Sequence, residues 1–388
     1  MGLSIIFFLL FIAIVVIIGV VSSRKETEDD FMIAERKVEG VQVAATMSAA
    51  FFDGAFLAIY IAYVYQYGFS AIWLFIGLAL GLLLLKKYAG KIKQKADELK
   101  VYSMPEYFFR ILGKKNGLMF SFFLVLQFFL LLIVNLVISG KVLSAIFPIP
   151  YFLAVIIGGA IVLTYLLLAG FKAVVRTDFF QVIIAFIMTL SVGIFLFGNT
   201  HIPVSEFNLG TLGFGNTIGF LILAGFGIMV APDLWQRIFA TKDEKNLRRG
   251  LNYSVFIILI FAVVVSVVGL ATKQFFPNIV PEDALVTGFS NLLPFGLKEL
   301  GMVLLYAVSL SSSDTVTFVV SSIFTRDLKN YSSRYTNESM KKLTRFFLIL
   351  FITLAILVGI FYQNILTLGF SLASLNLALF PIVFGSLY

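Results

Sequence analysis

The chain has 388 residues, of which 60% are apolar and 13% charged, with a mean hydropathy of +1.01. A soluble domain must cover itself with polar groups, and this composition excludes one. The net charge of +8 does not mark a nucleic-acid binder, because the basic residues segregate by position along the chain. With no cysteine and a single histidine, His201, thiol chemistry and a histidine-rich metal site are excluded as well.

In hydrocarbon a backbone must satisfy its own hydrogen bonds, and apolar runs of about 17 to 25 residues do so as helices. Eleven such runs follow in order: Leu3–Ser22, Val41–Tyr65, Phe69–Leu85, Gly117–Ser139, Tyr151–Leu168, Phe179–Phe197, Ile218–Ile238, Tyr253–Leu270, Gly301–Ile323, Phe346–Tyr362 and Leu366–Tyr388. The first is read as a helix and not a signal peptide, because no Lys or Arg precedes it and its apolar stretch exceeds the usual signal core. With successive loops on alternate sides, those after spans 1, 3, 5, 7 and 9 hold all of the 29 Lys and Arg residues except Lys141, Lys273 and Lys298. Basic loops face the cytoplasm, so the N-terminus is expected outside. Topology and contact with anionic lipid account for these residues, and they are given no substrate role. No loop is long enough to fold into a catalytic domain and no GxxxxGK[ST] occurs. Energy is therefore expected from an ion gradient and not from ATP.

Two spans lose their apolar pattern midway. In span 2, Met47-Ser48-Ala49-Ala50-Phe51-Phe52-Asp53-Gly54 sets a carboxylate beside a glycine at the midpoint, where a charge costs at least ~2.5 kcal/mol on insertion scales. In span 7 the run is interrupted by Gly225, Gly227 and Pro232. The breaks lie five spans apart. An odd number of spans per repeat inverts the second copy, and discontinuous helices at matching positions mark the midplane site of many transporters. Residues 41–198 and 213–388 are thus expected as inverted repeats, preceded by an extra helix and cytoplasmic loop in 1–40. Carbonyls freed by unwinding can replace part of the hydration shell of a sodium ion. The plainer alternative is that Gly225, Gly227 and Pro232 only permit close packing or a kink.

Span 9 concentrates hydroxyls. It reads Ala307-Val308-Ser309-Leu310-Ser311-Ser312-Ser313-Asp314-Thr315, and Ser311, Thr315 and Ser322 share one helical face with Asp314 adjacent. Oxygen ligands of this kind suit a hard cation. Serines in membrane helices more often bond their own backbone, and Asp314 is what shifts the cluster toward an ion site.

Five blocks in order carry a resemblance to the sodium/solute symporter family. Phe31-Met32-Ile33-Ala34-Glu35-Arg36 resembles its F-x-x-A-G-R block, with Glu35 in place of glycine, and Tyr102–Tyr107 is similar to its T-x-P-E-Y block. Ala169–Gln181 resembles G-G-x-x-A-V-x-x-T-D-x-x-Q, Trp235-Gln236-Arg237 the family's W-Q-R, and Ser321 to Asp327 its S-S-x-x-x-x-D. The resemblance runs from about residue 5 to the end.

It implies an all-α membrane protein of the cell membrane, with about 11 helices on a LeuT-type 5+5 inverted repeat behind one extra N-terminal helix. In relatives two or three further helices follow the core. It also implies sodium-coupled symport of a small organic solute by alternating access, with Na+ as coupling ion, no other cofactor, the bilayer and the solute as partners, and no enzymatic activity. The family's sodium site carries over to the carbonyls of Ala49, Phe52 and Val308 and the hydroxyls of Ser311 and Ser312. Asp178 matches an acidic residue near that site, and a second cation site falls on Asp178, Asp314 and Thr315.

Asp53 stands where relatives commonly have a small hydroxyl residue, so it coordinates a cation, pairs with an ammonium group on the solute, or is a hydrogen-bonded structural aspartate. Span 3 offers Ser70 as its polar side chain, which disfavours a sugar. Asp53, Phe56, Gln127, Asn135 and Phe226 are the candidate substrate residues, with Phe52 a further aromatic wall, and a small amino compound or amino acid is the favoured solute. Proton coupling through buried acids and a non-transporting solute sensor stay open as alternatives. An intramembrane aspartyl protease would also use paired carboxylates, but its G-x-G-D motif is absent.

Overall fold

The structure is a computed structural model that describes residues 2–22, 36–331 and 337–387, with the side chains of 16, 18–22, 165, 168–182, 326–331, 337–339 and 341 outside the described set. Its helices in chain order are α1 (Gly2–Ser22), α2 (Gly40–Ala49), α3 (Gly54–Tyr67), α4 (Trp73–Leu99), α5 (Met104–Leu112), α6 (Lys114–Ile146), α7 (Tyr151–Asn199), α8 (Phe214–Gly227), α9 (Pro232–Ala240), α10 (Glu244–Phe275), α11 (Ala284–Asn291), α12 (Leu297–Tyr331), α13 (Asn337–Phe361) and α14 (Ile365–Gly385). Among the described residues there is no strand, only an isolated parallel bridge between Val38 and Thr241.

Among the described residues six helical stretches are long and apolar enough to cross a membrane by themselves, and a seventh is the pair Phe214–Val230 and Pro232–Ala240, bent by 48°. Eleven were expected. The shortfall falls on α1 and on the two apolar ends of α7, Tyr151–Thr164 and Ile183–Asn199, whose described runs are too short, and on α3 and α4, which form one helical stretch Gly54–Leu99. Within that stretch Gly68 adopts φ 65°, where a β-carbon would meet Glu206 at 2.8 Å, so glycine separates the two helices. Spans 5 and 6 were expected as separate helices, whereas α7 continues for 49 residues. At 1.5 Å per residue that is about 74 Å, more than twice the hydrocarbon thickness. The stretch joining its two apolar ends holds Lys172, Arg176 and Asp178, whose side chains lie outside the described residues.

Small residues set the closest helix contacts. Gly77 and Gly81 on α4 face α8: a β-carbon at Gly77 would meet the Phe220 carbonyl at 2.9 Å, and one at Gly81 would collide with the Gly225 carbonyl. Gly250 and Gly269 on α10 receive Val43 of α2 and Val64 of α3 respectively. In a bilayer, where lipid is as apolar as leucine, such backbone approach supplies the packing. The polar helix α12 sits at the centre: the apolar-window segment of Leu297–Thr325 is 94% buried, against 22% for α14. A hydroxyl-rich helix is tolerated because protein and not lipid surrounds it.

Two short helices were not foreseen. Ser103 caps α5 by accepting from the Glu106 amide at 3.3 Å, Pro105 stands in the first turn, and Glu106 reaches back to the Tyr102 amide at 2.9 Å. This reciprocal capping is the physical content of the Ser103-Met104-Pro105-Glu106 block. Tyr107 and Phe108 then pack their rings on Trp235 at 5.1 and 5.5 Å, so two of the five sequence blocks meet in one aromatic cluster. Arg36 ties a third block to them, donating to Asp97 at 2.6 Å and to the Val101 carbonyl at 2.8 Å.

Candidate functional site

Span 2 is broken where the sequence places Asp53. Helix α2 ends at Ala49, residues 50–53 leave the helix, and α3 begins at Gly54. At the end of α2 the Ser48 carbonyl accepts from Phe51 and Phe52, and the Ala49 carbonyl accepts from Phe52 at 3.1 Å. A carbonyl has a second lone pair, and the C-terminal end of a half-helix favours a cation. Asp53 occupies the opposite role. It is the N-cap of α3, its Oδ1 accepting from the amides of Ala55 and of Phe56, the latter at 3.1 Å. Asn135 on α6 completes the cap, accepting from the Ala55 amide at 3.2 Å and donating to Asp53 Oδ2 at 3.4 Å. Gly54 packs so tightly on α12 that a β-carbon there would collide with Ser309 Oγ.

Helix α12 faces this break. Most of its hydroxyls bond their own backbone: Ser309 to Leu305, Ser313 to Ser309, Thr317 to Ser313 and Ser321 to Thr317. Ser322, expected on the ion-binding face, donates to the Val319 carbonyl. Ser312 Oγ donates to the Val308 carbonyl across 3.3 Å. Two oxygens that far apart can both lie roughly 2.3 to 2.6 Å from one hard cation. Asp314 is fully buried and accepts from the Thr315 hydroxyl at 3.2 Å. Asp178 lies on α7 within the stretch whose side chains are not described. Among the described residues no three His, Cys, Asp or Glu side chains cluster as a metal site.

A cavity of about 210 Å³ lies between the broken spans, α6, α12 and α14. It brings together Ala49, Asp53, Phe56, Gln127, Ser311, Ser312 and Thr315 from the sequence-derived sets. Phe52 and Val308 are buried beside it; the Phe52 ring packs on Phe261 at 3.9 Å, and Val308 borders a smaller cavity. Asn135 stands behind Asp53. Phe226 is not among the lining residues: its ring stacks on Phe380 at 4.1 Å, while Phe51, Phe128, Phe220 and Phe370 supply the aromatic wall.

The second break spans the last glycine and the proline. Helix α8 ends at Gly227, while Gly225 serves the close contact with α4. A 3-10 turn, Ile228–Val230, follows, and the chain leaves helical conformation at Ala231, at φ −83° and ψ 101°, because the residue before Pro232 is driven out of the helical region. Helix α9 restarts at Pro232 and carries two cavity residues that the sequence reading missed, Asp233 and Arg237. Arg237 was counted with a cytoplasmic loop, yet its side chain is 3% exposed, bonded to Asp233 at 3.0 Å and to Thr46 Oγ1 of α2 at 2.8 Å. Two charges inside the limits of span 7 were the available signal. Asn376 on α14 is the third omission; its Oδ1, like Gln127 Oε1, is buried with no hydrogen-bond partner among the described residues.

Residues 31–388 match the sodium:solute symporter family. The sodium/pantothenate symporter of Haemophilus influenzae is 25% identical over 352 residues, covering 83% of this chain and 71% of that protein. The osmoregulated proline transporter OpuE of Bacillus subtilis is 24% identical over 402 residues, covering 96% and 81%. The structure of a Na+-coupled sialic acid symporter superposes with a TM-score of 0.85 at 18% identity, over 99% of this chain and 85% of that one. That overlap establishes a common fold, of the LeuT type that the sequence blocks implied. Broken helices around a central cavity, the ordered blocks that pack against one another and the match over nearly the whole chain place this multi-pass membrane protein among transporters and not enzymes: it belongs to the sodium:solute symporter family.

Proposed function

We propose that the chain moves a small organic solute across the cell membrane with sodium, by alternating access about the cavity between the broken spans. The observation that carries this reading is the convergence on one cavity of the α2 end at Ala49 and the α12 hydroxyls of Ser311 and Ser312, beside the Val308 carbonyl that accepts from Ser312. In the proposal the carbonyls of Ala49, Phe52 and Val308 and the hydroxyls of Ser311 and Ser312 hold the coupling ion. Sodium bridging α2 to α12 then stabilises the state that admits solute. A second cation site at Asp178, Asp314 and Thr315 is part of the same reading. Eleven spans with the N-terminus outside, α7 contributing two of them, and 41–198 and 213–388 as inverted repeats complete it.

Inward movement of one charge releases ~2.3 kcal/mol per 100 mV, enough for nearly two decades of accumulation at ~1.4 kcal/mol per decade. The largely apolar cavity, with aromatic walls and the amides of Gln127 and Asn376, suits a small amino compound better than a sugar. In proteoliposomes, Ser311→Ala and Ser312→Ala are each expected to raise the half-saturating sodium concentration about tenfold, the loss of one hydrogen-bond-strength contact to a charge. Unchanged sodium dependence in both would remove the assignment.

A further inference from the structure

We infer that Asp53 and Asn135 act together as positioning residues, a two-part cap that fixes the start of α3 against α6 and so holds the ion-binding end of α2. The inference rests on the sodium-symport reading for its functional consequence.

A half-helix that begins inside a membrane protein exposes amide N–H groups with no intrahelical acceptor, and these need partners there. At the start of α3 the Ala55 amide lies between Asp53 Oδ1 and Asn135 Oδ1, and the Phe56 amide donates to Asp53 Oδ1. The other carboxylate oxygen receives Asn135 Nδ2, which also donates to the Leu131 carbonyl at 3.2 Å on its own helix. Both carboxylate oxygens are thus engaged within the protein, and both are drawn toward the positive end of the α3 dipole. Asn135 is fully buried and Asp53 5% exposed. A side chain committed in this way satisfies helix amides while also bordering the cavity.

The geometry also explains why an acid is acceptable at this position. Serine, asparagine and aspartate are comparable N-caps, and all keep the amide contacts. What aspartate adds is a second oxygen that reaches across to α6. Residues 50–53 hang between the end of α2 and this cap, so the position of the Ala49 and Phe52 carbonyls depends on it.

The test compares Asp53→Asn, Asp53→Ala and Asn135→Ala in the purified full chain, read by sodium-dependent thermal stabilisation, by solute uptake and by hydrogen exchange at Ala55 and Phe56. Asp53→Asn is expected to keep the Ala55 and Phe56 amides protected and the sodium concentration for half-maximal stabilisation within about threefold of the parent, a fraction of one cap's worth. Asp53→Ala and Asn135→Ala are each expected to speed exchange at Ala55 and to weaken sodium about tenfold, the equivalent of losing one cap. The double variant Asp53→Ala/Asn135→Ala should be no worse than the poorer single, because the two residues form one unit. A folded Asp53→Asn whose Ala55 amide exchanges as fast as in Asp53→Ala would overturn the inference, because the cap would then not be what the side chain supplies. So would an Asp53→Ala whose Ala55 and Phe56 exchange is unchanged. If the parent shows no sodium stabilisation, the symport reading fails, while the exchange data still decide the cap.

Discussion

Arg237 brings a full charge into the membrane interior, and its neighbours decide what that costs. Its Nη1 donates to Asp233 one turn earlier and its Nε to Thr46 on α2, so the charge is paired and tied across the two broken spans. Breaking a buried pair strands the remaining charge at about 3 to 5 kcal/mol, whereas replacing both partners is far cheaper. Arg237→Met is therefore expected to lower the thermal midpoint in detergent strongly, and Asp233→Asn/Arg237→Met to recover much of the loss. A double variant as unstable as the single would show that the pair is not the unit. This pair was readable as two charges inside span 7, but counting basic residues by loop absorbed Arg237 into topology and left Asp233 unexamined. Asp53 was singled out by its place beside a glycine within an apolar run. That it caps a helix, and that Asn135 shares the task, depends on the register between α3 and α6, which no single segment encodes.

The broken helices themselves were legible because their causes are local. Asp53 and Gly54 sit at the observed break of span 2, and Pro232 stands one residue past that of span 7. The glycines before Pro232 divide the work: α8 ends at Gly227, and Gly225 serves the helix opposite, where Gly81 allows the α4 backbone to approach. Helix α5 falls below span length and is signalled only by its capping residues. Helices α2 and α9 are joined at their ends as well as through Arg237. The Val38 amide donates to the Ala240 carbonyl at 3.1 Å and the Lys242 amide to Val38 at 3.0 Å, while the Gly40 amide reaches Asn246 at 3.0 Å. These ties predict that α2 and α9 move as one body. Because the chain has no cysteine, a Val38→Cys/Thr241→Cys pair can be oxidised without competing thiols, and adjacent bridged positions suit disulfide geometry. Cross-linked protein should keep most of its uptake. Uptake lost on oxidation and regained on reduction would instead mean that α2 swings independently.

At the scale of the whole molecule, composition and periodicity were enough for a helical membrane protein, and ordered blocks were enough for the family. The blocks are far apart in sequence yet pack together, as Tyr107 does on Trp235 and Arg36 beside Val101, so they encode how the ends of the broken spans are held. The solute is less legible, because the cavity is lined by side chains that different helices supply, among them Gln127, Asn376 and Thr315. The most direct test of the central claim is solute counterflow in proteoliposomes at fixed pH, with and without sodium. The solute would be chosen beforehand by thermal shift across amines, amino acids, carboxylates and sugars. Exchange that requires sodium, saturates with it and persists at constant pH without a proton gradient is the predicted result; exchange that is indifferent to sodium would contradict the account.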